Sequence, residues 1–209
     1  MPTASRNTYH HGRLREALID AGVRLAREGG PEAVVLREVN RAAGVSHSAA
    51  YRHFPDRDAL LRAVCERCMS ALARLMEQRL AGLPQRGDRV EAAWERLEAT
   101  GRAYVQFAIT EPGWFRTAFG VPRQLGPLAP GEGCGDSGRN PYELLSDRLD
   151  ELVDSGALPA SRRSQAEIGP WAAVHGLATL LIDGPLRGLP EAELRTAQET
   201  VVALVRRGL

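Results

Sequence analysis

Residues Leu36 to Leu61 read LREVNRAAGVSHSAAYRHFPDRDALL, and the rest of the chain is organised around them. Leu36, Val39 and Ala43 recur at i, i+3 and i+7, one face of a short helix. Gly44 falls where that helix ends, a place where a left-handed backbone is common and glycine adopts it cheaply. Val45 is a single apolar anchor. Ser46 follows as an N-cap, since its hydroxyl can accept from an amide two or three residues on. The pattern predicts a second helix from about His47 to His53. That helix shows His47, Ser48, Tyr51, Arg52 and His53 to solvent and turns Ala49, Ala50 and Phe54 inward. Pro55 and Asp56 stop it, and Asp56 caps the helix that follows. Two short helices joined in this way make a helix-turn-helix, whose second helix enters a DNA major groove.

The segment AGVSHSAAYRHFPDRDALL also resembles the DNA-reading signature of the TetR (tetracycline-repressor) family. A Tyr-x-His-Phe ending and a following basic residue recur in that signature, and the matching positions are Gly44, Val45, Ser46, Tyr51, His53, Phe54 and Arg57. The resemblance implies that Tyr51 and Arg57 touch phosphates, while His47, Ser48 and Arg52 face base edges. With Arg37, Ser46 and His53 these form the candidate DNA-binding set. Three positions depart from the pattern. Asn40 stands where a small Ala is usual, Ala50 where a larger apolar residue is common, and Val35 where a Ser or Thr caps the first helix. They bear on the angle between the helices and on one phosphate contact.

A chain of 209 residues suits one or two domains with a full-sized core. Apolar residues at 44% and charged residues at 25% fit an ordinary globular protein. All 27 basic residues are arginine, and the net charge of +1 makes the whole chain no basic nucleic-acid binder. The distribution is more telling. Residues 1–62 hold 10 Arg against 7 Asp or Glu, and the remainder holds 17 against 19. Four of the five histidines (His10, His11, His47 and His53) fall in that first segment, so the N-terminal third is the part suited to phosphate. The polar start MPTASRNTYHHG carries no signal-peptide core, and the longest apolar run, Trp171 to Ile182, is too short to span a membrane. The expectation is a cytoplasmic protein with no membrane partner.

Residues 1–8 read as disordered. A helix from near His10 to Gly29-Gly30, with Leu14, Leu18, Val23 and Leu25 on one side, completes a three-helix head. Tyr9, His10 and His11 form either an arm that reaches DNA or a plain flexible tail. From Asp56 a helix of some 25 residues runs to about Leu80, with apolar positions at 61, 64, 68, 72, 75 and 76. Cys65 and Cys68 lie on it as a lone Cys-x-x-Cys. They read as buried small hydrophobes or as redox-sensing thiols; two further ligands for a metal are missing, and no metal or cofactor is expected. GLPQRG (82–87) breaks the chain, Asp88 caps the next helix, and Pro112 opens a short one. The 20 residues from Gly120 to Arg139 hold six Gly and three Pro, a mobile loop.

Six of the eleven aromatics lie between Trp94 and Phe119. They could line a pocket or fill a core; the resemblance implies a small-molecule effector here. The candidate effector residues are Trp94, Tyr104, Phe107, Trp114, Phe115, Phe119, Trp171 and His175. A helix over Pro141–Asp154 follows, stopped by Gly156. Then IGPWAAVHGLATLLIDG is apolar on nearly every side, which suits burial against its own core and a second subunit. Gly176 would let another helix approach, and His175 is either a ligand or pH-sensitive group or a hydrogen-bonded core residue. Trp171, His175 and Gly176 further resemble the Trp-His-Gly class of TetR-type C-terminal domains. A last helix, Glu191–Arg207, pairs with this one as a homodimer interface.

The expected architecture is all-α, since no period-2 strand pattern occurs. A three-helix helix-turn-helix DNA-binding head occupies residues 1–55, and a helical effector-binding and dimerisation domain residues 56–209. The function implied is a sequence-specific transcriptional regulator, a repressor released from a palindromic operator on double-stranded DNA by a small effector. The alternative is a helical sensor or interaction module whose head no longer reads sequence. With no Gly-rich phosphate loop, metal cluster or nucleophile elbow, an enzyme is not expected.

Overall fold

The computed structural model describes residues 5–84, 87–120 and 131–209, with side chains from Arg13 onward. Among the described residues there is no strand. The helices are α1 (Ser5–Gly29), α2 (Leu36–Ala43), α3 (His47–Tyr51), α4 (Arg57–Ala81), α5 (Arg89–Thr110), α6 (Pro112–Gly120), α7 (Pro141–Asp154), α8 (Ile168–Ile182) and α9 (Glu191–Gly208), with a 3-10 turn at Gly30–Ala33. None of the described helices is long and apolar enough to cross a membrane. The first helix starts earlier than its apolar pattern does, so residues 5–8 are helical backbone rather than disordered tail. Residues 1–4 and the side chains of the Tyr9-His10-His11 arm lie outside the description.

Two compact units emerge: Met1–Cys68 with Glu111–Ala129, and Met69–Thr110 with Pro130–Leu209. The first extends beyond the expected boundary at residue 55. Leu60, Leu61, Val64 and Cys68 of α4 share one core with Leu18, Val34, Val39, Ala50 and Phe54. Leu18, Leu60 and Leu61 are at most 2% exposed. Each is worth about 1.5–3 kcal/mol of burial, more than the ~0–1 kcal/mol of a surface ion pair such as Arg67–Glu16. Apolar contact, then, decides the head's stability.

Helix α6 belongs to this unit too. The Trp114 indole donates to the Val23 carbonyl at 2.9 Å, and Arg27 lies over the indole ring and pairs with Glu111. A side chain at Gly113 would run into the carbonyls of Ala26 and Arg27, so α6 packs directly on the end of α1. Cys65 and Cys68 are buried here. Burial pushes the Cys65 thiol up to about 11 and raises Cys68 as well, which keeps both from the reactive thiolate form.

In the second unit α5 lies between two apolar clusters. Trp94 and Leu97 meet Leu149 and Leu152 of α7 and Leu158 beyond it. Further along, Val105 meets Leu177 and Leu181 of α8, with Leu194 and Val201 of α9 against them. At Gly101 an added Cβ would stand 3.3 Å from Val174, which marks a close crossing of α5 and α8. Asn140 and Glu143 form a reciprocal capping box at the start of α7.

Where it is described, the glycine-rich stretch is tied to α4 by hydrogen bonds. Residues 121–130 lie outside the description. In the remainder, the Glu77 carboxylate accepts from the amides of Asp136 and Ser137 at 2.8 and 3.0 Å and from the Ser137 hydroxyl. A single acid on α4 thus fixes the turn that leads into α7. Gly176, expected at a close helix crossing, has nothing of its own chain within 4 Å of an added Cβ.

Candidate nucleic-acid interface and effector cavity

The turn between α2 and α3 is built from local chemistry. Gly44 is left-handed at φ 68°, its N–H donates to Arg41, and Val45 donates back to the Asn40 carbonyl at 3.0 Å. This pair of bonds closes the last turn of α2. Ser46 then starts α3, its hydroxyl accepting from the Ala49 amide at 3.3 Å. Val35, where a hydroxyl residue was missed in the sequence, is extended and makes no side-chain cap. Asn40 is 5% exposed, and neither atom of its amide has a protein partner.

Five residues stand exposed in one short run: Ser46, His47, Ser48, Tyr51 and Arg52. The rings of His47 and Tyr51 lie 4.4 Å apart, so one turn of α3 presents them as a unit. Arg37 on α2 is also open, with 87% of its side chain exposed, and so is Arg41 at 79%. Glu38 engages Arg41 at 2.7 Å, and the two arginine side chains lower its pKa below the usual carboxylate range. Arg41 escaped the sequence reading because it lies outside the α3 motif; its place beside Arg37 on α2 was the only available signal.

Two residues of the expected set are placed differently. His53 is half-buried rather than turned to solvent, because α3 ends at Tyr51 and the chain bends back toward Phe54, which is 2% exposed. Arg57 is engaged internally. Its Nε donates to the Val34 carbonyl at 2.9 Å and its Nη2 to the Pro31 carbonyl at 2.6 Å. A guanidinium has five N–H donors, so some remain, but its first task here is to fix the start of α4 against the segment before α2.

The eight effector candidates are divided between the two units. Trp114, Phe115 and Phe119 belong to the first unit, while Trp94, Tyr104, Phe107, Trp171 and His175 belong to the second. Two of the latter meet: the Tyr104 hydroxyl lies 2.7 Å from His175 Nδ1. With Nδ1 unprotonated, a neutral His175 accepts the phenol proton there. Burial holds His175 below its ordinary value and raises Tyr104, so both stay uncharged near neutrality. Trp94 and Phe107 are buried in the second unit, at 7% and 3% exposure.

A cavity of about 550 Å³ does exist in the second unit, formed by the end of α4, the second half of α5 and the start of α9. None of the eight aromatic candidates lines it. Its polar residues are Gln78, Arg79, Arg102, Gln106, Thr110 and Gln198; its apolar wall includes Ala99, Ala103, Ile109 and Leu194. Sequence reasoning missed it because arginines and glutamines at helical spacing read as a solvated face. Among the described residues no cluster of three His, Cys, Asp or Glu could hold a metal.

Two family descriptions match the sequence: "Bacterial regulatory proteins, tetR family" over residues 18–64, and "Tetracyclin repressor-like, C-terminal domain" over residues 97–204. No curated protein matches it. Among solved structures, the chain is similar to a protein of unknown function from Rhodococcus sp. RHA1, with TM-score 0.71 and 27% identity over 96% of this chain and 97% of that one. RolR in complex with resorcinol gives TM-score 0.60 and 16% identity over 97% and 90% of the two chains. A TetR family transcription regulator from Marinobacter aquaeolei VT8 gives TM-score 0.53 and 14% identity over 95% and 97%. These low-identity likenesses speak for the fold, and the second family match spans residues 97–204, more than half of the sequence. The chain belongs to the TetR family of DNA-binding transcriptional regulators.

Proposed function

We propose that this regulator acts as a homodimeric repressor, reads a near-palindromic operator through α3, and leaves it when a small effector binds the second unit. The observation that carries this reading is the exposed run of α3 behind a fully capped turn. Ser46, His47, Ser48, Tyr51 and Arg52 are open, while Ala50 and Phe54 anchor the helix in the head's core. Within that run, His47, Ser48 and Arg52 are the base-reading candidates and Tyr51 a phosphate contact, with Arg37 and Arg41 adding charge from α2. Arg57 acts chiefly as a positioning residue.

Dimerisation is supported by apolar groups left open on α8 and α9: Ile168 at 61%, Trp171 at 40%, Leu180 at 42% and Leu204 at 56% exposure. Gly169, Ala172 and Gly176 on the same exposed side of α8 allow a partner helix to come close. Two heads related by a twofold axis read half-sites about 34–36 Å apart, or a multiple of that. RolR's resorcinol supports an effector for a fold of this kind. Release then draws on the ligand's differential affinity for two conformations, typically ~1–3 kcal/mol of coupling. The protein works in the cytoplasm by binding, without catalysis.

Retention on immobilised mixed-sequence duplex tests the head. The wild type is expected to elute at higher salt than an Arg37→Ala/Arg41→Ala variant, because each lost phosphate contact reduces the slope of log affinity against log salt by about 0.9. Identical elution of the two proteins contradicts the placement of the interface.

A further inference from the structure

The cavity of the second unit has a charge pattern that limits what can occupy it. Two arginines line it, and among the described residues no Asp or Glu does. Arg79 is held by a neutral group: its Nε and Nη2 both donate to Gln106 Oε1, at 3.1 and 2.6 Å. That contact fixes the guanidinium without cancelling its charge, and it turns the Gln106 NH2 away as a further donor. Arg102 pairs with Glu98 one helical turn back at 2.9 Å, with half of its side chain exposed. Exposed pairs of this spacing are weak, so a competing anion can take the guanidinium over.

Apolar residues alternate with the polar ones along α5. Ala99 and Ala103 are buried at 7% and 1%, and Ile109 remains 38% open. Small residues at 99 and 103 give the volume, and the isoleucine supplies apolar surface that no side chain of the protein covers. A space of about 550 Å³ is within the range of small-molecule sites.

We infer that the cavity binds a small organic acid, with its carboxylate or a related oxyanion toward Arg79 and Arg102 and its apolar body against Ala99, Ala103 and Ile109. This identifies the chemical class of the effector and rests on reading the second unit as the effector domain. The arginine fork suits an oxyanion because two N–H groups can meet two oxygens. A neutral phenol accepts only a weaker single bond from it, and a cation is repelled.

The test uses a matched pair of fluorescent probes on the full chain: 1-anilinonaphthalene-8-sulfonate and its uncharged parent, N-phenyl-1-naphthylamine. The sulfonate is expected to bind saturably, with one probe per chain. Arg79→Gln and Arg102→Gln are each expected to weaken it at least about fivefold, as loss of a charge-assisted hydrogen bond does. Both variants should leave the uncharged probe within about twofold, and Arg102→Lys should recover only part of the sulfonate affinity, since an ammonium keeps the charge but not the fork. Absence of saturable sulfonate binding, a smaller loss in both variants, or equal losses for the two probes overturns the inference. Titrating the sulfonate onto a protein–duplex complex separates the two levels. Arginine-dependent binding that leaves the duplex bound contradicts the effector role while the acid site stands.

Discussion

The Arg57 guanidinium donates to the carbonyls of Val34 and Pro31, at 2.9 and 2.6 Å, and so joins the first turn of α4 to the segment that delivers α2. A basic residue that resembles a phosphate contact therefore has a role in the fold itself. Arg57→Ala is expected to lower the unfolding free energy by about 2 kcal/mol, the usual scale for a hydrogen bond to a charged group with buried acceptors left behind. Arg57→Lys should recover less than half, since one ammonium cannot reproduce the fork. Denaturant unfolding measures both. A variant as stable as wild type but weaker on DNA would return Arg57 to the phosphate-contact role.

Two glycines are required for opposite reasons. Gly44 sits at φ 68° in open space, so Gly44→Ala is expected to cost about 1–2 kcal/mol from backbone strain alone. At Gly113 the obstacle is a pair of carbonyls on α1, which cannot rotate away as a side chain would. Gly113→Ala should cost more, about 2–3 kcal/mol, by forcing α6 off the head. Thermal unfolding of the two variants ranks them, and the reverse order would contradict the packing of α6.

Asn40 is buried with its amide unpartnered by protein. Replacing it by Leu, similar in size, is expected to stabilise the head by about 1 kcal/mol, since an unsatisfied buried polar group costs roughly 1–3 kcal/mol. A shift of the urea midpoint to higher concentration supports this. A fall shows that the amide has a hydrogen-bonding role in the native head.

His175 gives the second unit a pH dependence of known sign. Burial depresses its pKa from 6.5, so below that value the unfolded chain takes up a proton that the folded chain resists. Its contribution is present above about pH 6.5 and is lost as the pH falls through the folded value. Relative to wild type, His175→Gln should flatten the decline in stability on acidification below about pH 6.5. Parallel curves for the two proteins would show that His175 takes no part in it.

The elements that were plain in the sequence are those fixed by near neighbours. Gly44, Ser46 and Asp56 each meet their partners within a few residues, and the starts and stops of α2, α3 and α4 follow from them. The stripes of α4 and α7 were equally clear, because one apolar face needs no knowledge of what covers it. The place of α6 was not. Trp114 finds Val23 91 positions away, and nothing local distinguishes an indole that closes a head from one that lines a pocket. The cavity was hidden for the same reason: Arg79, Arg102 and Gln106 become a lining only once α4, α5 and α9 are side by side. His53 was misplaced because the helical period was carried two residues past the end of α3.

The central claim is that α3 reads sequence for a twofold dimer. Selecting bound duplexes from a random library with the purified protein, at near-physiological salt, tests it most directly. The expected result is one enriched inverted repeat with half-site centres about 34–36 Å apart or a multiple of that, and a changed base preference when His47→Ala is used instead. Weak, salt-sensitive binding with no enriched repeat would contradict it, and would mean that the capped turn and the exposed face of α3 no longer read DNA.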